Sequence, residues 1–111
     1  MILFRPEHVE PILAGRKTQT RRIWKRSRCK VGSIHLAKTK MLSKDSFARL
    51  MIRAVYLEVL GAISDEDAKA EGYADKEAYF AAFFTINKIA LADQDSWLLM
   101  PVHVVRFEVV L

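Results

Sequence analysis

Several things are scarce in this chain, and each scarcity excludes a class of protein. A single cysteine, Cys29, rules out an internal disulfide and supplies no thiolate cluster for a structural metal. Hydrophobic runs are short, and none approaches the roughly 20 residues that a membrane helix needs. Met1 to Arg5 offers too few apolar positions before Pro6 for a secretory signal. A cytoplasmic protein with no membrane partner is the expectation. The three histidines, His8, His35 and His103, fall on one helical and two strand-like segments without metal-ligand spacing, so neither a metal nor another cofactor is expected. Cys29 lies between Arg28 and Lys30, which favour a thiolate. The simpler reading is an incidental loop cysteine.

The most telling absence is local. Residues 15–30 contain no Asp or Glu but hold eight of the 18 Lys and Arg, leaving ten cations against thirteen carboxylates elsewhere. The formal net charge of +5 is therefore a +8 segment in a background of about −3. One-sign charge concentrated in this way is what an anionic partner meets first. What remains is ordinary for a globular chain: 51% hydrophobic and 10% aromatic residues over 111 positions, enough for one domain with its own core.

Read in order, Met1 to Phe4 is a short strand. Pro6 suits the first turn of a helix over 7–14, with Val9, Ile12 and Leu13 at helical spacing and Gly15 as terminator. Pro11 falls inside it, so two short turns or a kink are expected. Arg16 and Lys17 then emerge at a helix C-terminus, where carbonyl ends favour cations. Residues 18–24 read as a strand whose alternation puts Thr18, Thr20 and Arg22 on one face and Lys17, Gln19 and Arg21 on the other. Lys17 and Thr20 can cooperate only if Lys17 belongs to the preceding turn. A basic loop over 25–33 and a strand from Ile34 follow. The apolar stretch Phe47–Ile63 centres on a long strand at 50–60.

Ser64 is set to cap a helix over 65–71 and Asp75 a second over 76–88. The second carries Tyr79, Phe80, Phe83, Phe84 and Asn87 on one stripe, a pattern that usually means core. Glu71 sits where a carboxylate opposes the helix dipole, so it is not there for the helix. Residues 93–96 read as a loop and Trp97–Val110 as the closing strand, with Pro101 at an edge or bulge. Strands, then helices, then a strand give an α+β chain: a small β-barrel of about five or six strands with short helices covering its mouth.

Three groups of residues could carry function. Lys17, Thr20 and Glu71 form a conceivable catalytic set, since a lysine of depressed pKa can activate a hydroxyl and a carboxylate can position it. Arg16, Gln19, Arg21, Arg22, Lys25 and Arg26 supply cations and hydrogen bonds for a nucleic acid or nucleoside. Trp24 and Tyr73, with Tyr56 and Trp97 behind them, are aromatic faces on which a base can stack. Each group also has a plain reading: a solvated basic face, strand threonines, a structural salt bridge, core aromatics.

Leu3-Phe4, then Ile12-Leu13-Ala14-Gly15-Arg16-Lys17-Thr18, then Thr20 and Arg22 resemble the opening of the ASCH domain family, a branch of the PUA-like β-barrels. The likeness is close over residues 1–24 and about 64–74 and loose over the rest of the expected 1–111 domain. It implies the same barrel and an association with RNA. One branch of the family deacylates N4-acetylcytidine with a lysine, a threonine and a glutamate, which fall here on Lys17, Thr20 and Glu71. At Arg21 this chain departs from that branch, which often has an aliphatic residue there. Asp95-Ser96-Trp97 looks more like family members of phage and prokaryotic genomes with unassigned functions. The first expectation is therefore an RNA- or modified-nucleoside-binding domain. An N4-acetylcytidine amidohydrolase is the alternative, a ribonuclease a lower one, and a basic scaffold for an acidic protein the last.

Overall fold

The structure is a computed structural model that describes residues 1–110; Leu111, the last position of the expected unit, lies outside them. Five strands form one sheet: β1 (Ile2–Leu3), β2 (Gln19–Arg22), β3 (Ile34–Lys38), β4 (Ala48–Val59) and β5 (Pro101–Val110), in the order β1-β3-β4-β5-β2. The β1–β3 pair is parallel and the other pairs are antiparallel. Among the described residues there are also three 3₁₀ turns and four short α-helices: α1 (Val9–Leu13), α2 (Asp65–Ala70), α3 (Lys76–Ile86) and α4 (Gln94–Trp97). Among the described residues, no helix is long and apolar enough to cross a membrane.

The sheet is a half-barrel with β1 and β2 as its two edges. They share no strand pairing, but the Arg22 guanidinium reaches across and donates through Nη2 to the Leu3 carbonyl at 2.6 Å. Its guanidinium carbon also sits 5.0 Å from the centre of the Phe4 ring. A side chain thus does what a sixth strand would do in a closed barrel.

Two apolar clusters lie on either side of the sheet. Ile2, Phe4, Ile12, Leu50, Ile52, Val105 and Phe107 fill the half-barrel, while Leu60, Ile63, Ala68, Tyr79, Phe83, Phe84 and Val102 pack the sheet against α2 and α3. Interior strand β5 is buried on both faces through Val102, Val104, Val105 and Phe107, which explains why only His103, Arg106 and Glu108 interrupt its apolar sequence.

Several local signals act as read. Ser64 Oγ accepts from the Asp67 amide at 3.0 Å, and Asp75 Oδ1 from the Ala78 amide at 2.8 Å. Gly15 takes the left-handed conformation (φ +76°) that ends α1. The segment 7–14 is a 3₁₀ turn, Pro6–His8, followed by α1. Pro11 then occupies the first turn of α1, where its missing N–H breaks no bond.

Other boundaries differ. The second strand is only Gln19–Arg22, because beyond it the chain turns into the basic loop. Residues 94–97 are helical, not loop, and Trp97 packs against the second cluster instead of opening the last strand. Pro101 is the first residue of β5, opposite Val59, where a proline costs no ladder bond. The bulge lies on the neighbouring strand, between Ile52 and Ala54. Cys29 also turns inward. It packs among Ile2, Phe4 and Leu50, and burial pushes its thiol pKa up despite the flanking cations.

Candidate functional site

The site begins with how residues 16–18 are tied down. The amides of Arg16 and Lys17 both donate to the Pro11 carbonyl (2.9 and 3.0 Å), closing the turn after α1. The Thr18 amide donates to the Ala70 carbonyl at 2.8 Å, and the Thr18 carbonyl accepts from Phe107 at 3.0 Å. Thr18 therefore joins the end of α2 to β5. Sequence places Lys17 and Glu71 54 residues apart; these backbone bonds bring them together.

Lys17 Nζ donates to the Glu71 carbonyl at 2.6 Å and to Glu71 Oε1 at 3.2 Å. Its ammonium thus caps the C-terminus of α2, satisfying a carbonyl with no helical partner. The expected pairing of this cation with the end of α1 is replaced by one with α2. The other Glu71 oxygen accepts from Arg21 Nη1 at 2.9 Å. All three side chains are almost fully buried. Burial pulls the Lys17 pKa below the usual lysine value, with Arg22 and Arg21 adding to the shift and Glu71 opposing it.

Arg21 is the hub of this array. Besides Glu71 it meets Glu58 at 3.0 Å, Asp67 at 3.4 Å and Gln19 Oε1 at 2.9 Å. Gln19 in turn donates to Asp67 Oδ1 at 3.0 Å, and Arg106 approaches the same oxygen at 3.7 Å. Arg21 and Gln19, candidates to contact a nucleic acid or nucleoside, face α2 and hold acidic side chains there. The reason is strand alternation: Gln19 and Arg21 share the face of the sheet that α2 covers, while Thr20 and Arg22 share the inner one. On that inner face Arg22 Nε donates to Thr20 Oγ1 at 2.9 Å.

A cavity of about 430 Å³ opens against these residues. It occupies the gap between the edge strands: Leu3, Phe4 and the turn carrying His8 on one side, Lys17, Thr20, Arg21, Arg22 and Glu71 on the other. Tyr73 and α3 residues Tyr79, Phe83, Ile86 and Asn87 form the roof. Its size is that of small-molecule sites. Lys17 lies in the turn before β2, the condition set for it to work with Thr20. Both line the cavity, but no hydrogen bond joins them.

Of the other candidates, Tyr73 is a wall residue, its hydroxyl 3.4 Å from His8 Nε2. His8 is driven to a pKa of about 4 by burial and by Lys17, so it is a neutral imidazole at pH 7. Arg16 is exposed and paired with Glu10. Lys25 and Arg26, with Arg28 and Lys30, are exposed on the loop after β2 and form no salt bridge among the described residues. Trp24 packs on the half-barrel core, 5.8 Å from His103, with the Arg28 guanidinium 5.8 Å over its ring. It lies outside the cavity. Tyr56 is covered by Arg106.

The residues that sequence reading missed are on α3. Tyr79 belongs to the stripe whose pattern suggests core, and it is only 3% exposed, yet its hydroxyl has no partner. Burial, with Glu71 nearby, raises its pKa, so it is a neutral phenol. A tyrosine and an asparagine in a stripe otherwise made of Phe80, Phe83 and Phe84 were the available signal, since phenylalanine would serve a dry core as well. Among the described residues, no group of His, Cys, Asp and Glu is arranged to hold a metal ion.

No family profile matches the chain, and no curated protein matches it significantly. Solved structures do. An ASCH domain from Lactobacillus crispatus superposes with a TM-score of 0.66 at 16% identity, covering 91% of this chain and 69% of that one. A DUF984 protein of Enterococcus faecalis gives 0.65 at 21% identity, over 94% and 70%. A hypothetical protein, PH0355, gives 0.65 at 14% identity, over 96% and 94%. With an α+β half-barrel of this topology and neighbours of this kind, the chain has the ASCH-domain fold.

Proposed function

We propose that this protein binds a single nucleobase or modified nucleoside, free or carried in RNA, in the cavity between β1, β2 and α3. One observation carries the reading: the buried Lys17–Glu71–Arg21 array borders an open cavity of about 430 Å³. Two cations and a carboxylate are costly to desolvate, and a dry apolar core would be as stable. Beside a cavity, the same groups can read the donor and acceptor edge of a base. The uncompensated loop cations Lys25, Arg26, Arg28 and Lys30 supply attraction for a phosphate backbone.

The test is calorimetric titration with cytidine, N4-acetylcytidine and short single-stranded RNA. Each phosphate contact contributes a salt slope of about −0.7 on single strands. Four loop contacts therefore weaken RNA binding about 50-fold between 50 and 200 mM salt. RNA affinity indifferent to salt would remove the RNA arm. No heat with any of the three ligands would remove the reading.

Hydrolysis of an N4-acylated cytidine is the second reading, favoured by Lys17, whose pKa burial lowers, lining the same cavity as Thr20. Neutral Lys17 would take the Thr20 proton as Oγ1 attacks the acyl carbon. The 4-amino group would leave with that proton, and water would then release the acyl group from Thr20. The Arg22 Nε bond to Thr20 Oγ1 favours the developing alkoxide. Turnover of N4-acetylcytidine, lost in Thr20→Val with the fold intact, would establish it; absence of turnover leaves the cavity as a recognition site.

A further inference from the structure

Charge pairing around the cavity leaves one cation over. Lys17 is matched by Glu71; Arg21 by Glu71, Glu58 and Asp67; Arg106 shares Asp67. Four cations with Arg22 thus meet three carboxylates, and no carboxylate of the described residues lies within 4 Å of Arg22. Both oxygens of the nearest acid on the cavity wall, Glu71, are taken. Arg22 spends Nε on Thr20 and Nη2 on Leu3, while Nη1 has no protein acceptor among the described residues. A half-buried guanidinium without a counterion is a costly feature to keep unless a ligand completes it.

A second, independent observation lies on the opposite wall. The Tyr79 hydroxyl is buried without a partner, although it lines the same cavity. An unpaired buried hydroxyl costs stability, and a phenylalanine there would avoid the cost. Arg22 Nη1 on β2 and the Tyr79 hydroxyl on α3 are thus donors that line the cavity without a protein acceptor among the described residues, and no uncommitted acid accompanies them.

We propose that the cavity takes a ligand bearing an anionic oxygen, such as a phosphate monoester or a carboxylate, bound by the Arg22 guanidinium with the Tyr79 hydroxyl as second donor. Resting on the nucleoside reading, this makes a nucleotide, not a neutral nucleoside, the preferred occupant. Arg22 has the planar donor fork that suits such groups. Neutral His8 on the adjoining wall offers no competing charge.

The experiment compares cytidine, cytidine 5′-monophosphate, inorganic phosphate and acetate by calorimetry, in wild type, Arg22→Lys, Arg22→Gln and Tyr79→Phe. Wild type should bind the monophosphate at least about tenfold more tightly than cytidine, with the gap closing in Arg22→Gln. Tyr79→Phe should weaken monophosphate binding several-fold while its melting temperature stays level or rises, which a purely structural tyrosine would not show. Arg22→Lys keeps a charge at the sheet edge and guards against loss of folding; it should retain part of the preference. Preference for phosphate over acetate, or the reverse, identifies the anion. Equal affinity of wild type for cytidine and its monophosphate would overturn this inference and leave the nucleoside reading standing. Phosphate binding that needs Arg22, with no binding of cytidine or its monophosphate, would do the opposite: the anion site stands and the nucleoside reading falls. Binding of none of the four overturns both.

Discussion

Replacing Glu71 by glutamine removes the one charge that Lys17 and Arg21 share and changes the shape least. Glu71 is 3% exposed, and its two oxygens take Lys17 Nζ and Arg21 Nη1 at 3.2 and 2.9 Å. Removing one member of a buried ion pair costs about 3–5 kcal/mol. Arg21 keeps Glu58 and Asp67, so the loss falls mainly on Lys17. A ceiling follows from proton linkage, because a stranded lysine can shed its proton. From the ordinary value of 10.5, doing so at pH 7 costs about 1.36 × 3.5, or roughly 4.8 kcal/mol. At pH 9 the same step costs about 2 kcal/mol. The unfolded variant then binds one proton more than the folded one, so the variant gains stability as pH rises. Urea melts at both pH values should show a penalty of about 3–5 kcal/mol at pH 7, or some 12–20 °C, shrinking to about 2 kcal/mol or less at pH 9. A penalty under about 1 kcal/mol at pH 7, or one unchanged at pH 9, would refute the claim that Glu71 exists to neutralise Lys17.

Three further perturbations separate scaffold from surface. Arg21→Met strands Glu58 and leaves Glu71 with Lys17 and Asp67 with Arg106 as their only cations among the described residues; it should cost about 3–5 kcal/mol, whereas Lys25→Ala and Arg26→Ala should stay within about 0.5 kcal/mol. Denaturant melts of the three decide whether an Arg21 variant reports on binding or merely on folding. His8 is held near pH 4 against an ordinary 6.5, so the unfolded chain binds its proton first and stability falls as pH drops from about 6.5 through 4. Discounted for partial exposure, the loss is about 1–2 kcal/mol, and His8→Asn should flatten that part of the stability–pH curve; an unchanged slope would sink the assignment. At Gly61 a methyl group would stand 2.8 Å from the Leu98 carbonyl oxygen, a backbone atom, so Gly61→Ala should cost about 1–3 kcal/mol in a thermal melt.

How far the sequence revealed this molecule depended on the range of the interaction. Ser64, Asp75 and Gly15 act within four residues of themselves, and each does in the structure what its side chain suggests. The alternation of residues 18–22 was equally legible, since the pleat dictates it; Gln19 bonds Arg21 and Thr20 bonds Arg22 on opposite faces. What alternation cannot reveal is which face is outside. The basic segment read as one surface, yet only Arg16 and the loop after Ile23 display their charge, and Arg21 is sequestered by acids 37–50 residues away. Resemblance, not charge, was what linked Lys17 with Glu71, and the backbone bond from Thr18 to Ala70 is the physical reason they meet.

The same logic bears on what the cavity is for. Lys17 and Arg21 are matched by Glu71 together with Glu58 and Asp67, so on their own they would make a rigid polar wall with no preference for charge. Unmatched groups include Arg22, which bonds across to the other sheet edge, and Tyr79, which stands on the roof. Arg22 binds the Leu3 carbonyl and cavity contents through the same guanidinium, so a ligand that engages it also bears on the closure of the half-barrel. Occupancy and stability are then linked by mass action: a ligand at 100 times its dissociation constant adds about 2.7 kcal/mol. That linkage predicts that any true occupant of the cavity raises the melting temperature through Arg22, and that ligands drawn only to the exposed loop at Lys25 and Arg26 do not require it.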